Sequence, residues 1–256
     1  MRVAIIGYGV VGQAMADLFP DARIYDPAKG LYTLPDADIA FVCVPTPEAA
    51  DGSCDASIVE DVIRKHAPAL FVIRSTIPPG TTRALEARYG KQIVFQPEYL
   101  GMTPGHRYTG DRDVPFVILG GHRVNTDTVA DLYRTVLPPE TAYHHTDAET
   151  AELTKYATNT FLAAKVEFAN ELYDACVVMG LDYERVRELW LLDSRIGRSH
   201  TGVNRHDRGF GGACFPKDIA AFVAWAEGQG SSVPMVRAAM EANRKRRRKL
   251  RPPQIA

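Results

Sequence analysis

A cysteine stands between a glycine-rich stretch and a Pro-Lys-Asp sequence in Gly209-Phe210-Gly211-Gly212-Ala213-Cys214-Phe215-Pro216-Lys217-Asp218. A helix start and a neighbouring lysine both stabilise a thiolate, the nucleophilic form of the side chain, and glycines leave room for a ligand to reach it. The plainer reading is a structural cysteine in a tight turn; these ten residues alone leave both open. Cys43 in an apolar strand and Cys176 on an apolar helix face read as inert core residues, and Cys54, beside Asp51-Gly52, as an incidental loop residue. Lys155 and Asn159 lie four apart on a helical stretch and so share a face. A lysine beside an amide orients a hydroxyl and stabilises its developing oxyanion, whereas an exposed polar stripe shows the same spacing. Among the histidines, His144, His145, His200 and His206 lack regular ligand spacing, and no metal is assigned.

At the other end of the chain, Gly7-Tyr8-Gly9-Val10-Val11-Gly12 has the form of a dinucleotide-binding turn. Three glycines alone say little, but a strand pattern precedes them, a helix pattern follows, and Asp26 ends the next strand. The glycines let backbone approach a pyrophosphate, which a helix N-terminus then stabilises. Asp26 is suited to an adenine ribose and repels a 2′-phosphate, which favours NAD over NADP. A nicotinamide cofactor together with a poised cysteine implies oxidation through a covalent thio-intermediate.

The elements that must position these residues fall into two regions. Short apolar runs at 3–6, 23–25, 39–44, 70–73, 93–95 and 116–119 read as strands, with helix patterns at 11–19, 56–66, 81–89 and 126–133 between several of them. Such alternation predicts the α/β class: a Rossmann-like doubly wound parallel sheet over residues 1–146. Pro27, Gly30 and Pro35 in the short connection after Asp26 predict a reduced second crossover. Thr146-Asp147-Ala148-Glu149 has the form of a capping box, and no Pro or Gly interrupts the chain from there to Met179, with Gly180 as the stop. The result is a helix near 50 Å long at about 1.5 Å per residue. Phe161, Leu162, Val166, Phe168, Ala169, Leu172, Tyr173 and Cys176 put apolar groups around much of it, so burial on several sides is expected. Residues 147–256 are therefore expected to form an all-helical domain built on this helix, with further helices at 183–192 and from Pro216.

At 256 residues, 46% hydrophobic and 24% charged, the composition is that of a soluble globular protein. No apolar run approaches the ~18–20 residues of a membrane span, and the first strand leaves no room for a signal peptide. Four cysteines make no disulfide scaffold, so a cytoplasmic setting is expected. The net charge of −1 conceals seven positive charges between Arg244 and Arg251, leaving −8 for the preceding residues. Without an extended basic face on that acidic body, the run reads as the solvated end of a helix stopped by Pro252-Pro253, not as a nucleic-acid site.

Taken together, the motifs resemble those of the UDP-glucose/GDP-mannose dehydrogenase family of NAD-dependent nucleotide-sugar 6-dehydrogenases. The resemblance runs in register from Met1 to about Asn243. It includes the glycine-rich turn, Val44-Pro45-Thr46-Pro47 with Asp51-Gly52, Arg74-Ser75-Thr76-Ile77-Pro78 and Gln96-Pro97-Glu98-Tyr99-Leu100. It continues through Lys155-x-x-x-Asn159-x-Phe161-Leu162-Ala163, Asn170-Glu171, Arg195-Ile196-Gly197 and the cysteine decapeptide, the most diagnostic of these. It implies oxidation of a sugar C6 alcohol to the acid with two NAD⁺, as in polysaccharide biosynthesis, with UDP-glucose the first candidate. The catalytic residues so implied are Cys214, Lys155, Asn159, Asp218, Glu98 and Thr76. Cofactor contacts are implied at Gly7, Tyr8, Gly9, Val10, Val11, Gly12, Asp26, Val44, Pro45, Thr46, Ser75, Thr76 and Lys217. Substrate contacts are implied at Glu98, Tyr99, Leu100, Lys155, Asn159, Arg195, Phe210, Gly211 and Cys214; the apolar character of the long helix separately predicts a homodimer formed through it.

Family members usually continue into a third, nucleotide-binding domain, and the sequence stops short of one. Two further readings therefore stand beside the first: a β-hydroxyacid-type dehydrogenase, which also pairs a helix lysine with an amide four residues on, and an NAD-binding homologue without turnover.

Overall fold

The computed structural model describes residues 1–32, 37–101 and 107–250. They form two compact units: one comprises Met1–Ala49 and Cys54–Lys155, the other Ala50–Ser53 and the chain from Tyr156 on.

The first unit is an eight-stranded sheet. Its strands are β1 (Val3–Ile6), β2 (Arg23–Asp26), β3 (Leu31–Tyr32), β4 (Ile39–Val42), β5 (Leu70–Ile73), β6 (Ile93–Phe95), β7 (Phe116–Gly120) and β8 (Ala142–Thr146). They lie in the order β3-β2-β1-β4-β5-β6-β7-β8. Pairing is parallel from β2 through β1, β4 and β5 to β6, as the alternation predicts, and again between β7 and β8. Two antiparallel joints, β2–β3 and β6–β7, were not legible in the pattern. Helices α1 (Val10–Leu18), α2 (Ser57–Lys65), α3 (Thr81–Tyr89) and α4 (Arg123–Arg134) complete the unit. The second crossover is reduced to a 3-10 turn at Pro27–Lys29 and the short strand β3; Pro35 lies outside the described residues.

Period-two alternation sends neighbouring strand residues to opposite faces. Ile5, Phe41 and Val72 enter one buried cluster with Met15 and Tyr133, while Ile6, Val42 and Ile73 enter another with Val59, Ile63 and Leu85. Strand β8 was missed because its sequence, Ala-Tyr-His-His-Thr, carries no apolar run and sits partly exposed at the sheet edge.

A 32-residue helix, α5 (Ala148–Met179), runs from the first unit into the second. Its cap differs from the expected one. Thr146 ends β8, and Asp147 instead accepts from the Thr150 backbone N–H at 2.8 Å and the Thr150 hydroxyl at 2.7 Å. At the far end Gly180, at φ 69°, closes a Schellman motif in which Leu181 N–H reaches Cys176 O and Gly180 N–H reaches Val177 O.

The second unit adds α6 (Tyr183–Trp190), α7 (Phe215–Gly228) and α8 (Pro234–Leu250). Its core is Ala163, Phe210, Ile219, Ala220, Val223 and Met240. Burial of α5 within one chain covers part of its circumference: Ala163, Ala169 and Cys176 are buried, but Phe161 is 64% and Phe168 55% exposed. The basic run is also not wholly solvated. Arg246 binds Glu167 at 2.6 Å and Asp174 at 2.7 Å, and Arg247 binds Asp207 at 2.5 Å. Arg251, Pro252 and Pro253 lie outside the described residues. Among the described residues, no helix is long and apolar enough to cross a membrane.

Candidate functional site

In the first unit the sequence-predicted residues gather at the carboxyl ends of the strands. The glycine turn follows β1, Val44-Pro45-Thr46 follows β4, Ser75-Thr76 follows β5 and Glu98 follows β6. Strand order reverses between β1 and β4, where a doubly wound sheet opens a crevice for ligands. The three glycines have distinct reasons. Gly7 takes φ 90°, and a Cβ there would lie 2.6 Å from Cys43 O. A Cβ on Gly12 would lie 2.0 Å from Gly7 O, so helix and turn can pack only without one. A Cβ on Gly9 would meet nothing within 4 Å, which leaves open space above the first turn of α1.

That turn has no side-chain cap and no acidic residue, so its N–H groups are disposed toward an anion. Asp26 accepts from Tyr8 N–H at 2.8 Å, placing a carboxylate beside the same turn. Open space at Gly9, uncapped donors and a carboxylate at the end of β2 fit a dinucleotide. Ser75, buried, donates to Val44 O at 2.7 Å and ties the loops after β4 and β5 together. Thr46 is buried and Thr76 partly so.

Farther along the same sheet edge, Lys155 and Glu98 form a nearly buried pair. Lys155 Nζ donates to Glu98 O and lies 3.8 Å from Glu98 Oε2, with the side chains 7% and 11% exposed. The Lys155 ammonium also sits 5.3 Å from the Tyr99 ring centroid. Glu98 accepts in turn from Leu100 N–H. The structure thus settles one open alternative: Lys155 is not on an exposed stripe.

In the second unit, Asn159 is one turn beyond Lys155 on α5 and donates to Asp218 Oδ2 at 2.6 Å. Asp218 is 1% exposed, and its other oxygen pairs with Lys217 at 2.5 Å. Cys214 is the N-cap of α7 and partly buried; its carbonyl accepts from Asp218 N–H at 2.9 Å. Its siblings differ: Cys176 is buried, burial pushes the Cys43 thiol up to about 12, and Cys54 donates to Thr76 O at 3.5 Å. Arg195 is exposed and paired with Asp193 at 2.6 Å. Its loop is held by Lys165, which donates to Ile196 O and Gly197 O, each at 2.8 Å. Phe210 is buried in the core, so its ring anchors the glycine-rich loop.

Comparison with known families decides what this assembly belongs to. Residues 30–137 match the NAD binding domain of the UDP-glucose/GDP-mannose dehydrogenase family, and residues 149–245 match that family's central domain. The chain belongs to this family. It is 34% identical to a UDP-glucose 6-dehydrogenase of Haloferax volcanii over 81% of its own length and 52% of that protein's. A UDP-glucose 6-dehydrogenase of Pseudomonas aeruginosa is 32% identical over 92% of the chain and 54% of that protein. The chain thus spans about half the length of the curated relatives it matches. Among solved structures, a UDP-glucose dehydrogenase from Pyrobaculum islandicum superposes with a TM-score of 0.78 at 28% identity, covering 96% of this chain and 68% of that one.

Against this family frame, sequence reasoning missed two residues in the first unit. Lys29 donates to Tyr8 O at 2.6 Å, so the residue whose N–H Asp26 accepts is held at its carbonyl as well. Its spacing to Asp26 was the available signal. Glu152, one turn before Lys155, is fully buried and accepts from Gly80 N–H, Thr82 N–H and the Thr82 hydroxyl, at 2.6, 2.8 and 2.6 Å. Its two carboxyl oxygens thus supply acceptors for the N-terminus of α3, and nothing in the local sequence announces it.

Proposed function

We propose that the chain oxidises the C6 alcohol of a nucleotide sugar, UDP-glucose first among candidates, to the uronic acid, as a cytoplasmic enzyme supplying polysaccharide synthesis. Each unit supplies an observation that supports this reading: in the first, Lys155 is buried against Glu98, and in the second, Asn159 is bonded to the Asp218 that shares α7 with Cys214. When bound, NAD⁺ accepts hydride at the first unit. The Asp218 carboxylate, oriented by Asn159, takes the alcohol proton through a water, and the Lys155 ammonium stabilises the oxyanion as the first hydride leaves C6. The Cys214 thiolate adds to the aldehyde carbon, giving a thiohemiacetal whose oxygen takes up a proton. Loss of a second hydride and of that proton leaves a thioester. An activated water, a step to which the family resemblance assigns Thr76, Glu98 and Asp218, then cleaves it to the carboxylate and frees the thiol. Two hydrides go to two NAD⁺, so the four electrons balance. Arg195 and the 209–212 loop contact substrate in this reading, and Lys217 the cofactor.

The exposed apolar residues Phe161, Phe168, Val178 and Leu189 on α5 and α6 support a homodimer through the long helix. The test is NADH formation, followed by absorbance, with NAD⁺ and a panel of UDP- and GDP-sugars. Turnover with UDP-glucose is expected, and no turnover with any sugar nucleotide overturns the reading.

A further inference from the structure

The loop before Cys214 has no regular secondary structure, yet consecutive peptide groups in it are gripped by two side-chain amides from different helices. Asn170 on α5 accepts from Gly209 N–H at 3.2 Å and from Arg208 Nε at 2.7 Å. Asn243 on α8 closes both hydrogen bonds of one residue: it accepts from Phe210 N–H at 2.8 Å and donates to Phe210 O at 3.0 Å. Both amides are at least 96% buried. Gly209 fits this clasp through two properties. Its φ is 81°, and a Cβ there would lie 2.3 Å from Asn243 Oδ1. One turn on, the Arg247 guanidinium lies against Gly211, where a Cβ would be 3.0 Å away, and is fixed by Asp207.

We propose that Asn243 is a positioning residue for the nucleophile, acting through the Phe210 peptide. Only Gly211, Gly212 and Ala213 separate the clasp from Cys214, a tether of about 14 Å at full extension. On its other side Cys214 is fixed as the cap of α7. The thiol is therefore held between a helix end and a clasped peptide, and the glycines flanking the clasp provide the fit instead of slack. The catalytic part of this inference rests on Cys214 being the nucleophile of the proposed reaction; the clasp itself is tested without it.

The experiment compares wild type with Asn243→Ala and Asn243→Asp. Iodoacetamide alkylation of Cys214 is followed across pH 6 to 10 by peptide mass spectrometry, with Cys54 as internal reference and NADH formation measured in parallel. Asn243→Ala is expected to raise the high-pH plateau rate at Cys214 several-fold while leaving Cys54 unchanged. It should also lower kcat about tenfold, the size expected for two buried hydrogen bonds, without changing KM for NAD⁺. Asn243→Asp keeps the acceptor for Phe210 N–H and loses the donor, so it should fall between the two. If only the aspartate variant folds, its plateau must still rise. An unchanged Cys214 plateau in a folded variant overturns the proposal, whether or not the wild type turns over sugar nucleotides. If the plateau moves but the wild type has no turnover, the clasp stands and the functional reading falls.

Discussion

Asn159 donates to Asp218 at 2.6 Å in a place where both side chains are more than nine-tenths buried. The amide takes one carboxylate oxygen and Lys217 the other, so Asp218 is held as an oriented acceptor. Asp218→Asn should lower kcat by about 10²-fold or more, the range for loss of a positioned base, with NAD⁺ affinity by calorimetry unchanged. Retention of full kcat would remove Asp218 from the mechanism.

Cys214→Ser separates covalent from direct oxidation. The serine variant should form no uronic acid and no sugar adduct by intact-mass measurement, although the helix cap is retained. A hydroxyacid-type dehydrogenase has no need of the thiol, and continued turnover in this variant would favour that chemistry.

The glycine turn can be divided by substitution. Gly9→Ala places its methyl in open space at an ordinary φ of −77°, so the melting temperature should stay within about 2 °C while NAD⁺ binding weakens about tenfold or more. Gly12→Ala drives a methyl onto Gly7 O and should lower the melting temperature by about 5 °C or more. Equal effects of the two on folding would contradict the assignment of space at Gly9.

Glu152 gives the first unit a pH dependence. Burial raises its carboxyl to about 7 from an ordinary 4.5, against the opposing hydrogen bonds from Thr82 and Gly80. Folded chain therefore keeps this proton between pH 4.5 and 7 where unfolded chain loses it. The stabilisation is complete below 4.5 and lost as pH rises through 7, by at most about 3 kcal/mol. Urea melts of wild type and Glu152→Gln from pH 4.5 to 8 should converge or cross along that slope. Parallel profiles would rule the effect out.

Much of this was legible because it is local. The glycine turn, the cysteine decapeptide and the Lys155–Asn159 spacing each fall within one or two turns of chain, and strand alternation marked most of the sheet. What escaped depends on partners far away in sequence. Asn243 meets Phe210 across 33 residues, and Glu152 meets Thr82 across 70. A side chain that completes another segment's backbone has no periodicity of its own. The same holds for the cap of α5, where Asp147 and Thr146 are both good capping types and only the end of β8 decides between them. The apolar circumference of α5 was read correctly in composition, but its exposure depends on what a single chain provides.

The missing Cβ of Gly209 and the oxygen of Asn243 claim the same few cubic ångströms. Sequence drift therefore cannot change the two positions independently. A side chain at 209 becomes admissible only after 243 has shrunk, and even then it must accept a left-handed backbone. Shrinking 243 first releases the Phe210 peptide. The constraint runs one way: a homologue with a side chain at 209 should lack the asparagine at 243, whereas glycine at 209 tolerates either state of 243.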